Sequence, residues 1–112
     1  MSLQHTLATI PFGGTVSNTI DKGYRVFTKM YVTGFSGPTT ISMEVSNDGI
    51  NYNILHVFNP GFASPLVHFT ITPGAVNFNA TFSESILQGV NFFRFTVNAA
   101  ITTPTGCVIR LA

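Results

Sequence analysis

Charge is scarce in this chain. Five cationic and four anionic side chains are spread over 112 residues, 8% of the total against roughly 25% in an ordinary soluble domain. Lys22, Arg25, Lys29, Arg94 and Arg110 stand against Asp21, Glu44, Asp48 and Glu84, for a net charge of +1. That balance excludes the basic stripe that neutralises a row of phosphates, so no nucleic-acid partner is expected. Tryptophan is absent and cysteine occurs once, as Cys107, which excludes an internal disulfide and a cysteine-based zinc cluster. No apolar run approaches the roughly 18–20 residues of a membrane-spanning helix, and no membrane partner is expected. The opening Met-Ser-Leu-Gln-His carries no basic stretch followed by an apolar one. No signal peptide is therefore expected, and synthesis in a cytoplasm is.

Core material, by contrast, is plentiful. Hydrophobic residues make up 45% of the chain and phenylalanine alone occurs 11 times, a composition opposite to that of disordered segments. The length fits one compact domain with a single core. A domain of this mass exposes about 6,000 Å², which here is covered by Thr, Ser, Asn and Gly with few charges. Small proteins that remain apart generally use charge to do so, and this shortage points to a surface covered by partners.

Val, Ile, Thr, Phe and Tyr are spread throughout, punctuated by Gly, Pro and Asn at short intervals, and no long amphipathic helix is present. The clearest strand runs over Tyr24–Phe35, with Tyr24, Val26, Met30 and Val32 on one face. A second covers Thr39–Ser46, with Ile41, Met43 and Val45 inward. Asn47-Asp48-Gly49 predicts a tight hairpin turn, because Asp-Gly supplies positive φ angles, and the return strand is Asn51–Phe58. Further strands are expected at Leu66–Ile71, Val76–Phe82, Phe92–Val97 and Cys107–Leu111, with one helical turn in 83–89 starting near Ser83 or Glu84. Short strands with turns every 8–12 residues predict an all-β, antiparallel β-sandwich, jelly-roll-like, as a single domain over 1–112. Residues 1–9 are expected to form an N-terminal arm. The expected core is Val26, Met30, Val32, Ile41, Met43, Val45, Ile54, Phe69, Ile71, Phe93, Phe95, Val97 and Ile109.

Groups able to do chemistry are few. His56 and His68 lie on adjacent expected strands, but two imidazoles without a placed carboxylate make a poor metal site. No spacing joins Glu44 to Glu84 as an acid/base pair. Cys107 opens the last strand and reads as a small buried apolar residue. Gly13-Gly14-Thr15 lacks the lysine and spacing of a phosphate loop. Asp48 alone falls far short of the six to eight oxygens that calcium requires. No enzyme, no metal and no cofactor is expected.

Val45-Ser46-Asn47-Asp48-Gly49-Ile50-Asn51-Tyr52 reads as a hairpin whose aromatic packs back across the turn. Together with Val90-Asn91-Phe92-Phe93-Arg94-Phe95-Thr96-Val97 and the final Val108-Ile109-Arg110-Leu111, it resembles the small β-sandwich structural proteins of tailed-bacteriophage virions, of the capsid decoration (cement) type. The resemblance covers Thr39–Phe58 and Val90–Leu111. It implies a virion protein on the capsid exterior that binds the major capsid protein, stabilises the coat shell and associates with itself as a homotrimer. Tail, neck or fibre components and glycan-binding modules share related sandwiches and are the alternatives. Loop aromatics Phe12, Phe35, Phe58 and Phe62, beside Gly or Pro, are the candidate protein-interface residues. Tyr24, Tyr31 and Tyr52 are the candidate platforms for a glycan.

Overall fold

The computed structural model describes residues 6–58 and 66–112, with the side chains of Phe58, Leu66 and Val67 left aside. Eleven strands are described. They are β1 (Thr6–Ile10), β2 (Ile20–Asp21), β3 (Lys29–Thr33), β4 (Ile41–Ser46), β5 (Asn53–Ile54) and β6 (His56–Phe58). After them come β7 (Leu66–His68), β8 (Thr70–Ile71), β9 (Phe78–Thr81), β10 (Phe92–Val97) and β11 (Cys107–Leu111). All pairings are antiparallel. One sheet has the order β1-β11-β3-β9 and the other β2-β10-β4-β5.

The two sheets share one core, and the alternation of side chains along each strand is what builds it. Ala8, Ile10, Met30, Val32, Cys107, Ile109 and Leu111 enter from the first sheet. Ile20, Ile41, Met43, Phe93 and Phe95 enter from the second. Phe93 touches both Phe27 and Phe95 edge to face, each at 5.9 Å between centroids, at the centre of the shared core. The chain is therefore an all-β antiparallel sandwich, as its turn spacing predicts.

Chain crossings dominate the topology. From β1 to β4 each connection passes from one sheet to the other, and so does each connection from β8 to β11. Between them, β5 pairs with Glu44 and Val45 of β4 while β8 pairs with Ile41 and Ser42. The two short strands thus share one strand position along β4. The ribbon β6–β7 leaves that position at Leu55, which donates its N–H to Met43 and accepts from Phe69.

Phe92–Val97 and Cys107–Leu111 have the expected bounds, and a 3-10 turn at Glu84–Leu87 is capped by Ser83, whose hydroxyl accepts from the N–H of Ser85. Several expectations are corrected. The strand expected over Tyr24–Phe35 exists only as Lys29–Thr33. Before it, Arg25 donates its N–H to Lys22 O beyond Gly23, so the chain turns. Phe27 rather than Val26 then reaches the core, at 5% against 59% exposure. Ile54 is likewise outside and Leu55 inside, because the return strand breaks after Ile54. The turn before it is wide: the closing pair is Val45–Asn53, Gly49 alone among 46–52 has positive φ, and Asp48 does not. From Thr6 onward, the expected arm is an edge strand of the domain, paired with β11 through all five residues. The outer edge of that strand is occupied by Asn18. Its amide oxygen accepts from Thr9 N–H at 2.8 Å and its amide nitrogen reaches Leu7 O at 3.4 Å.

Candidate functional site

The β4–β5 turn gathers a dense polar network, and it starts from a buried hydroxyl. Ser46 Oγ accepts from the N–H groups of Asp48 (3.2 Å) and Gly49 (2.9 Å) and donates to Asp48 Oδ1 (2.8 Å). Asp48 Oδ1 also accepts from Ile50 N–H and Asn51 N–H, both at 2.8 Å, while Oδ2 accepts from the Asn51 amide at 2.8 Å. Donors that favour the ionised form hold the Asp48 carboxyl well below the usual carboxylate range, the Asn51 backbone N–H contributing most. Gly49 takes φ +77°, the left-handed conformation that favours glycine, with the Phe92 ring beside it.

Beside this turn lies an open depression of ≈ 270 Å³ lined by Val45, Ser46, Asn47, Asp48, Asn51, Asn53 and Val90. Val45 and Asn53 face each other in register across β4 and β5, and Asn47 is tied by its carbonyl to the Asn91 amide. Among the described residues, the side-chain amides of Asn47 and Asn53 have no hydrogen-bond partner. Sequence reasoning passed over these asparagines. The signal available was their density in Asn47-Asp48-Gly49-Ile50-Asn51-Tyr52-Asn53.

Tyr52 does pack back, but onto the outer face of the second sheet. Arg94 lies over its ring at 3.8 Å, and its hydroxyl meets Thr19 Oγ1 at 2.5 Å. Arg94 in turn pairs with Glu44 at 2.7 Å, directly opposite in register. One face of the Tyr52 ring is thus already used by a cation. Tyr31 stands on the outer face of the first sheet with Lys29 Nζ 5.0 Å from its ring centre. Tyr24 projects wholly into solvent from the turn before β3. The three tyrosines occupy three separate surfaces and form no common platform.

Of the expected interface aromatics, Phe12 is 64% exposed. Phe35 is corrected: it is 5% exposed and stacks edge to face with Phe78 at 5.9 Å, its N–H bonded to Val76 O. Of Phe58 the backbone alone is described, in β6, and Phe62 lies outside the described residues. His56 and His68 are brought together as a register pair, ring centroids 4.6 Å apart, with His56 Nδ1 3.1 Å from Ile54 O. Among the described residues no group of three or more His, Cys, Asp or Glu side chains converges as a metal site. Among the described residues, no helix is long and apolar enough to cross a membrane. Comparison with protein-family models, with curated proteins and with solved structures finds no match for this chain.

Proposed function

We propose that this chain is a non-enzymatic structural protein of the tailed-phage virion, a capsid decoration (cement) protein that binds the major capsid protein from the outside as a homotrimer. The strand order carries this reading. With β5 and β8 counted as one position, eight positions fall into the sheets β1-β11-β3-β9 and β2-β10-β4-β5/β8, an order that supports reading the sandwich as jelly-roll-like. That architecture recurs in viral capsid and lectin domains. Fold alone assigns no role, so composition supplies the second support. A surface with so few charges, and with Phe12, Tyr24, Val26 and Ile50 at 59% exposure or more, suits burial against other subunits. Many weak contacts of this kind become firm on a shell that repeats them.

Light scattering on the purified protein over a wide concentration range tests the self-association. The expected result is a constant molar mass near three times 12.1 kDa. A monomer at every concentration removes the preformed trimer. Failure of that monomer to bind expanded capsids then removes the decoration role as well.

A further inference from the structure

We propose that the depression beside the β4–β5 turn is a binding site for a neutral sugar, one hexose unit deep. The inference stands apart from the virion reading and uses different residues from the tyrosines expected to serve as platforms.

The chemistry of the lining selects the ligand. Asn47 and Asn53 offer amides that each donate and accept, and neither is engaged by another described side chain or backbone group. Vicinal hydroxyls match such groups, since each hydroxyl also donates and accepts. Asp48 Oδ2 takes one donor, the Asn51 amide, and keeps acceptor capacity for a hydroxyl. Val45 and Val90 supply the apolar wall on which the C–H face of a pyranose rests. The volume of ≈ 270 Å³ and its open shape suit a single ring, held at the end of a chain, better than a buried small molecule.

Other ligand classes fit worse. A cation would find one carboxylate, Asp48, whose Oδ1 already accepts three hydrogen bonds and whose Oδ2 alone has room, well short of the six to eight oxygens that calcium takes. An anionic sugar would meet the Asp48 carboxylate with no lysine or arginine in the lining to offset it. Because the turn is fixed by Ser46 and Asp48 independently of any ligand, the site is formed before binding.

The experiment is a titration of the intact protein with free glucose, galactose, mannose and N-acetylglucosamine, followed by amide ¹H–¹⁵N spectra that include the asparagine side chains. At least one sugar is expected to produce saturable shifts confined to residues 45–53 and Val90, with a dissociation constant in the millimolar range. Asn53→Ala is expected to weaken that binding by about tenfold, the value of one net hydrogen bond, with an unchanged melting temperature. Calcium chloride is expected to leave the same signals in place. Unchanged spectra with all four sugars overturn the proposal. So do shifts centred on Tyr24, Tyr31 or Tyr52, and so does a response to calcium in place of sugar. None of these readouts depends on self-association, so this site and the trimer stand or fall separately.

Discussion

Folding moves Asp48 and Cys107 in opposite directions. Asp48 is exposed yet acidic, because four donors converge on its carboxylate; Cys107 is wholly buried, and loss of water pushes its thiol from 9.0 up to about 11. A carboxyl with a depressed folded pKa stabilises the fold fully above its unfolded value, about 3.9, and loses that contribution as pH falls further. Asp48→Asn is therefore expected to melt below the parent by a constant interval above about pH 5, and the two melting curves should converge as pH drops below about 4. An interval that persists unchanged into strong acid would assign the effect to shape and not to charge. For Cys107 the thiolate is the reactive form, and burial withholds both the thiolate and the path to it. Iodoacetamide at mildly alkaline pH should leave the native protein unmodified and label it at the rate of unfolding. Rapid labelling of the folded state would contradict the burial.

At the scale of elements, legibility followed regularity. Phe92–Val97 and Cys107–Leu111 were readable because each keeps strict alternation, with Phe93 and Phe95 or Cys107, Ile109 and Leu111 inward. The segment before β3 was not, because Phe27 and Met30 are both buried while three residues apart, a spacing no continuous strand permits. The phase breaks at Thr28–Lys29, whose successive N–H groups both bond to Ala112 O, and nothing in the apolar pattern of Tyr24–Phe35 announces it. The return strand failed in the same way, with Ile54 and Leu55 exchanging places at a break. Asparagine was the other unread element. Asn98 accepts from the N–H groups of Thr39 and Thr40 and donates to Thr39 Oγ1, and Asn77 accepts from Gly34 N–H. Such ties join residues more than forty positions apart, so their partners are invisible in local sequence.

For the whole molecule, the shortage of charge and the crossing topology belong together. Six of the ten connections between the described strands join the two sheets, so most strand pairs bring together segments distant in sequence, and folding is expected on the millisecond-to-second scale of such β domains. During that time the chain exposes apolar strands with little charge to keep copies apart. Asn18 bears on this hazard. By occupying Thr9 N–H and Leu7 O, it denies the free side of β1 to any incoming strand. Asn18→Ala should leave the core intact and give faster growth of thioflavin-positive aggregate after dilution from denaturant; equal rates would show that the edge is guarded by other means. The amide of a single residue is then what keeps the open flank of a sheet from becoming a template for fibrils, holding the backbone of β1 out of reach of a second copy.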